Sequence, residues 1–352
     1  MENIHEFGQL KSEAEIVKNW DKKYSEPLVS VMCLAYNHEK YIEDALKGFL
    51  IQETDFPFEV LIHDDASTDN TADIIREYEA LYPNIIKPVY QSENQWSRDK
   101  EVIRNAQYGR VKGKYLAYCD GDDYWVDPKK LQKQVKFLEK NIEYVVCGHG
   151  FIVKYENKKI ERRMFAYDQR RYGSFRYLQA LKGSPLHPNT WMCHSKVIIC
   201  NRYLDIQDKF PAGDDFLMLI LMSTGKGYCL PEFMSVYRVN DSSTWSSIKT
   251  YIKKLKMFAY QVYSFQVMPL RFYIPQIIYS IVNLSDALIG VLRDTMRTSD
   301  LKKLSMFNSE ISKIDSNRIF VLSLIMCAFL FVPLRVIILI LAKIFKKIHL
   351  CV

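Results

Sequence analysis

The sequence predicts an α/β protein with a mostly parallel central sheet flanked by helices and a helical carboxyl-terminal extension. Three observations carry this expectation. Dense apolar, β-branched runs alternate with amphipathic segments between residues 27 and 140; acidic pairs follow the ends of two such runs; and past residue 246 the texture becomes helical. Strands covered by helices on both faces read as near-continuous apolar runs, whereas half-exposed strands alternate.

Taken in order, residues 1–26 read as a short helical lead-in or a surface arm that ends at Pro27. LVSVMCLAY is a buried strand, followed by a helix in which Tyr41, Ile42, Ala45, Leu46, Phe49 and Leu50 share one face. FEVLIHDD is the next strand, and STDNTADIIREYEALYP a helix with Ile74, Ile75 and Tyr78 inward and Ser67 or Thr68 available as its cap. IIKPVYQ, KEVIRNAQYGRVKG and KYLAYCDGDD continue as strand, helix and strand, and Asp127 and Pro128 suit the start of the helix over DPKKLQKQVKFLEKN. From residue 144 the rhythm loosens: YVVCGHGFIVKYENKK suggests strands or a hairpin, FRYLQALKG a short helix, and GDDFLMLILMSTGKGYCLPEFMSVYRVND a helix, a turn and one or two strands. The expected division is a lead-in (1–26), a main domain (27–245, parted near residue 140), a helical extension (246–317) and a hydrophobic, basic terminal segment (318–352).

Composition excludes several classes. A net charge of +7 comes from 48 Lys and Arg against 41 Asp and Glu, without a basic stripe interleaved with aromatics, so no nucleic-acid partner is expected. The eight cysteines show no C-x-x-C spacing and sit largely in apolar runs, the pattern of buried thiols in a reducing compartment rather than of disulfides or a zinc site. The segment MENIHEFGQLKSEAEIVKNW has no apolar core of the kind a secretory signal needs, so the main body is expected in the cytoplasm. Neither G-x-G-x-x-G after the first strand nor G-x-x-x-x-G-K-[ST] occurs, which removes the main support for a dinucleotide-dependent dehydrogenase or a P-loop phosphotransferase.

The acidic runs are the chemical signal. Asp120 and Asp122, two residues apart across Gly121, can converge on one hard cation, Mg²⁺ or Mn²⁺, with water and substrate phosphate completing its shell. Asp122 and Asp123 would also serve to cap the following helix. Asp64 and Asp65 end a second apolar strand, and two acidic strand ends in one parallel sheet crowd like charge unless a cation or hydrogen-bond donors offset it. A nucleotide diphosphate held through a metal resolves that crowding.

VSVMCLAYNHEKYIEDALKGFLIQ, FEVLIHDDASTDNT and GKYLAYCDGDDYW, in this order and spacing, resemble the family 2 glycosyltransferases of GT-A fold, over roughly residues 27–240. The resemblance implies the nucleotide-diphospho-sugar transferase fold, with residues 27–140 binding the nucleotide sugar and 141–245 the acceptor. It assigns Ala35, Tyr36, Asn37 and Glu39 to the base and ribose, Asp65 with neighbouring Asp64 to the base or sugar, and Asp122 to the metal. Asp120, across Gly121, would contact the donor sugar or ribose and reach the metal as well. Arg104 and Asn105, with Arg98 and Lys100 nearby, fall where similar enzymes contact the nucleotide or its loop, and equally suit an exposed helix face. Asp214 or Asp215 would be the base that deprotonates the acceptor hydroxyl, or a helix cap; Arg238 would pair with phosphate, Trp245 stack on a sugar, and His187 and Trp191 line an acceptor pocket.

The implied activity is inverting, metal-dependent hexosyl transfer from a nucleotide-diphosphate sugar, UDP-sugar favoured, to a hydroxyl of a glycan or lipid-linked acceptor in cell-surface polysaccharide or glycoconjugate synthesis. Without Q-x-x-R-W the chain resembles non-processive, bacterial-type members. A membrane-docked, non-catalytic nucleotide-sugar binder and a sugar-phosphate nucleotidyltransferase are the alternatives. Ile319 to Ala342 is long and apolar enough to span a bilayer, yet Pro333 and Arg335 interrupt it, so a span, an interfacial helix and a buried or oligomer-forming helix all remain open. With Lys343, Lys346 and Lys347 beyond it, the segment places the protein at the cytoplasmic face of the membrane, peripherally or by one span.

Overall fold

The computed structural model describes residues 7–155, 160–165, 172–180, 185–199 and 213–239, with residues 253, 284, 287 and 290. The chain forms two compact units, one of Met1–Ala180, Ser184–Asp205 and Leu217–Ser242, the other of Leu181–Gly183, Ile206–Phe216 and Ser243–Val352. The sheet, and every site residue below except Asp214, Asp215 and Trp245, belongs to the first.

Helix α1 (Glu13–Val17) opens on a capping box in which Ser12 and Glu15 satisfy each other's backbone N–H groups. The lead-in is docked rather than a free arm: Ile16 is buried, Leu10 and Trp20 pack on the main core, and Trp20 meets Phe58 edge to face.

Strand β1 (Val29–Ala35), helix α2 (Ile42–Leu50), strand β2 (Phe58–Asp64), helix α3 (Thr71–Leu81), strand β3 (Ile86–Tyr90), helix α4 (Lys100–Tyr108) and strand β4 (Tyr115–Tyr118) follow the expected alternation. β1 lies between β2 and β4, with β3 outside β2, all parallel. β2 is buried at every position, and α2 places Ile42, Ala45, Leu46, Phe49 and Leu50 in the core, as their helical spacing requires. The register sets Ala35 opposite Asp64 and Met32 opposite Tyr118, so the loops after β1, β2 and β4 leave the same edge of the sheet.

Strand β5 (Tyr124–Trp125) and helix α5 (Lys130–Lys140) come next, then β6 (Tyr144–Tyr155), one long strand that pairs antiparallel with β7 (Ile160–Met164). β8 (Gly173–Phe175), α6 (Tyr177–Ala180), β9 (Met192–His194), α7 (Ser195–Ile199), α8 (Gly213–Thr224) and β10 (Lys226–Val239) complete the described elements. The sheet order is β3-β2-β1-β4-β9-β6-β10-β5. β9 runs antiparallel to both β4 and β6, and short β5 runs antiparallel to β10, so the second half of the sheet is mixed.

Two helix starts differ from expectation. α3 begins after Asn70 without a cap from Ser67 or Thr68, because both side chains bond to the loop groups described below. α5 begins at Lys130, and Asp127 instead accepts from the Lys129 N–H, closing a turn ahead of the helix. Cys33, Cys119, Cys147, Cys193 and Cys229 are buried free thiols, as composition suggested. Among the described residues no helix is long and apolar enough to cross a membrane; segment 318–352 lies outside them.

Lys130 is fully buried, with its Nζ 2.8 Å from Gln134 Oε1 and 3.8 Å from the Trp125 ring centre. Gln134 passes the connection on, donating to the carbonyls of Cys147 and Thr190. Burial lowers the Lys130 amine from 10.5 to about 7. A depressed lysine pKa makes the unfolded chain bind the extra proton between those values, so stability rises with pH across that window. Relative to Lys130→Met, wild-type protein should therefore gain stability from pH 7 to pH 9, at up to about 1.4 kcal/mol per pH unit, in urea denaturation. A flat difference across that range would contradict the buried neutral amine.

Candidate active site

The edge where β1, β2 and β4 end is built by side chains that tie one loop to the next. Asn37 and Ala66, in the loops after β1 and β2, both take left-handed backbone, at φ 55° and 61°. The Asn37 N–H donates to Ser67 Oγ, while Asn37 Oδ1 accepts from the Thr68 N–H at 2.8 Å. The His38 N–H donates to Thr71 Oγ1 at 2.7 Å, the Glu39 N–H donates to Asp69, and the Glu39 carboxylate accepts from Asn70. Asn37 and Glu39 thus hold the protein's own loops, whereas Tyr36 stands exposed beside buried Ala35.

Both acids of the first pair are satisfied internally. Asp64 is buried and accepts from the Ser67 hydroxyl and N–H. Asp65 Oδ1 accepts from the Gln95 N–H at 2.7 Å and Oδ2 from the Trp96 N–H at 2.9 Å, so this carboxylate shapes the loop between β3 and α4. That loop presents Trp96, 59% exposed. On α4, Arg104 is buried with Nη2 3.7 Å from Glu101, and Asn105 lies exposed with its carbonyl accepting from the Gly109 N–H. Arg98 pairs with Glu93 at the surface.

The second acidic run forms a tight turn fastened to β1. The Gly121 N–H donates to the Leu34 carbonyl at 2.8 Å and the Asp123 N–H to the Asp120 carbonyl at 3.0 Å. Gly121 is needed for close approach, not for a left-handed φ: a Cβ there would stand 2.8 Å from Ile42 Cδ1 and 2.9 Å from His38 Nδ1. Burial lowers the pKa of that histidine, against the opposing pull of Asp122, Asp69 and Asp64.

Three carboxylates follow one another with different fates. Asp120 is exposed and Asp122 half-buried, while Asp123 is buried inside the fold. Asp123 accepts from the Arg238 N–H at 3.0 Å and from Asn189 Nδ2 at 2.9 Å. Burial, then the charge of Asp122, raises the Asp123 carboxyl well above the usual carboxylate range. The Asp122 carboxylate, by contrast, accepts no hydrogen bond from any described residue, and its carbonyl accepts from Arg238 Nη1 at 3.0 Å.

His187 and Trp191 are core residues. His187 packs between Phe151 and Tyr237, and burial pushes its pKa down to about 3. Trp191 is 1% exposed and stacks on Tyr118, so neither ring presents an open face as an acceptor pocket would require. Arg238, at 3% exposure, spends its guanidinium on Asp44 and the Asp122 carbonyl. Asp214 and Asp215 occupy the first turn of α8, where carboxylates offset the helix dipole. Asp214 is exposed at the start of the helix, and desolvation by the protein around it raises its carboxyl above the ordinary value. Trp245 lies outside the described residues.

Residues 30–205, half of the chain, match the sequence model of glycosyl transferase family 2. The chain belongs to that family. An uncharacterized protein of Mycobacterium tuberculosis is 37% identical over 226 residues, covering 63% of this chain and 62% of that protein, less than two thirds of its length. TuaG of Bacillus subtilis, provisionally described as a teichuronic acid biosynthesis glycosyltransferase, is 36% identical over 137 residues, 39% of this chain and 50% of that protein. Residues 1–349 of S. aureus TarS, solved with UDP-GlcNAc, share the fold at a TM-score of 0.56 and 18% identity, over 81% of this chain and 80% of that one. The mannosyltransferase PcManGT of Pyrobaculum calidifontis, solved with GDP-Man and Mn²⁺, superposes at 0.50 with 17% identity over 90% and 92%.

In this glycosyltransferase-family domain, sequence reasoning missed three residues that organise the edge. Asn189 and Asp44 lie far along the chain from the groups they hold, and Asp69 sits among loop polar residues without a distinguishing motif. The loop role of Asp65 yields a test. Asp65→Asn replaces one acceptor by an NH₂ group facing a backbone N–H, so exchange of the Gln95 and Trp96 amides should speed up by about tenfold or more while β2 stays protected. Unchanged exchange at those amides would show that another group holds the loop.

Proposed function

We propose that the protein transfers a sugar from a nucleotide-diphosphate donor, UDP-sugar favoured, to a hydroxyl of a glycan or lipid-linked acceptor, with inversion at the anomeric carbon. The observation that carries this reading is the Asp122 carboxylate: half-buried at the sheet edge, beside exposed Asp120 and buried Asp123, and left without a hydrogen bond from the described residues. Like charges so placed call for a positive partner from outside.

The donor set fits a divalent cation that keeps water and phosphate oxygens in its shell. Among the described residues no three carboxylate, histidine or cysteine side chains gather into a complete metal cage, and one or two carboxylates suffice for Mg²⁺ or Mn²⁺ bound together with substrate phosphate. Asp122, with Asp120, would hold it, and its charge would offset the negative charge that develops on the departing diphosphate. Exposed Tyr36 offers an aromatic face to the base, with Ala35, Asn37 and the Asp65-ordered loop as its surroundings. TarS with UDP-GlcNAc and PcManGT with GDP-Man and Mn²⁺ give the same donor class in the same fold.

The chemistry asked of the chain is one displacement. The acceptor oxygen forms the new bond to the anomeric carbon, the bond from that carbon to the diphosphate oxygen breaks, and the acceptor proton passes to Asp214 or Asp215. A pKa raised above the ordinary carboxylate value, as at Asp214, makes the stronger base. Trp245 would stack on a sugar ring. The basic, apolar segment 318–352 would keep the enzyme at the cytoplasmic face of a membrane, where a lipid-linked acceptor resides; the naming of TuaG for teichuronic acid synthesis points to a cell-surface polysaccharide.

A panel of nucleotide sugars, assayed for binding and turnover with and without Mn²⁺, tests this. Asp122→Asn should lower turnover at least about 100-fold with the thermal midpoint retained, since electrostatic support of a leaving group is typically worth that much. Turnover by Asp122→Asn at the wild-type rate would remove the assignment. Asp214→Asn should reduce kcat by about 100-fold or more while leaving donor affinity near wild type. If Asp215→Asn shows that pattern instead, the neighbouring carboxylate is the base.

A further inference from the structure

Arg238 and Asp44 act together on the turn that carries Asp122. Arg238 is the penultimate residue of β10 and is almost fully buried, whereas Asp44, on the first turn of α2, has a side chain 38% exposed. One guanidinium joins them: Nη1 donates to the Asp122 carbonyl at 3.0 Å and Nη2 to the Asp44 carboxylate, while the Arg238 N–H donates to Asp123. Tyr124 and Tyr41 lie against it, with ring centres 4.3 and 5.2 Å from its central carbon.

The backbone bonds of the turn, Gly121 to Leu34 and Asp123 to Asp120, both leave the Asp122 peptide carbonyl to the arginine. A guanidinium is a rigid planar fork, so fixing one nitrogen fixes the direction of the other. Asp44 also sets a carboxylate against a guanidinium that is 3% exposed. We propose that Asp44 is a positioning residue: by anchoring Arg238 it sets the backbone of Asp122, and through it the direction in which the Asp122 carboxylate meets the donor diphosphate. Its purpose rests on the transferase reading above; its geometry does not.

Hydrogen exchange on the ligand-free, full-length protein tests the clamp independently of any donor assay. In Asp44→Asn the Asp123 amide should exchange about tenfold faster or more, with the β1 amides unchanged, because the loss is local to the turn. In parallel, the dissociation constant for UDP should rise about tenfold, as a small misplacement of a positioned group does, and Asp44→Glu should restore both readouts to within about threefold of wild type. Arg238→Lys keeps the charge but loses the fork and should reproduce the Asp44→Asn exchange, so the proposal stays testable if one variant folds poorly. Wild-type exchange at Asp123 in Asp44→Asn would overturn it, and so would an equal acceleration over β1 and the turn, the mark of a merely structural ion pair.

Discussion

Like charge crowded at one edge of a parallel sheet is the constraint on which the rest of this structure depends. Asp64, Asp65, Asp120, Asp122 and Asp123 all sit where β2 and β4 end, with only β1 between those strands. Like charge and burial both favour a donor or a counter-charge for each carboxylate that water does not reach. The protein spends donors on some of them: Ser67 on Asp64, two backbone N–H groups on Asp65, and Asn189 with the Arg238 N–H on Asp123. None of these donors reaches the Asp122 carboxylate, which stands half-buried beside exposed Asp120.

The donors belong to a connected scaffold that reaches across the sheet. Asn189 donates to Asp123 and to the Val236 carbonyl, and its own carbonyl accepts from Trp125 Nε1 at 2.9 Å. Trp125 in turn covers the buried amine of Lys130, whose partner Gln134 donates to Cys147 and Thr190. Gly48 on α2 lies so close to the Trp125 backbone that a Cβ would stand 2.8 Å from its nitrogen and oxygen, so α2, β5 and the acidic turn pack without slack. Buried polar chains of this kind hold a geometry when every member is satisfied. Arg238 and Asp44 extend the same scaffold to the surface.

The parts visible in the sequence are those governed by local pattern. Continuous apolar runs gave β1 and β2, helical spacing gave the inward face of α2, and strand-terminal acids marked the site edge, because each depends on neighbours a few residues away. Antiparallel β9 was not visible: Met-Cys-His is too short to show a period, and its place between β4 and β6 is a long-range choice. For the same reason His187 and Trp191, read as pocket-lining, prove to be core, where aromatic packing rather than residue type decides. Asp122 and Asp123 were alike in sequence; only the distant Asn189 and Arg238 separate the buried structural acid from the one that faces outward.

The claim that Asp122 is the carboxylate reserved for a metal-held diphosphate is tested most directly by a crystal structure grown with UDP and Mn²⁺, with anomalous scattering locating the metal. One Mn²⁺ peak is expected within bonding distance of the Asp122 carboxylate and of the diphosphate oxygens, with Asp64, Asp65 and Asp123 keeping their protein partners. A nucleotide seated with its phosphates away from the β4 turn, or a metal held by Asp64 or Asp123 in place of Asp122, would contradict it.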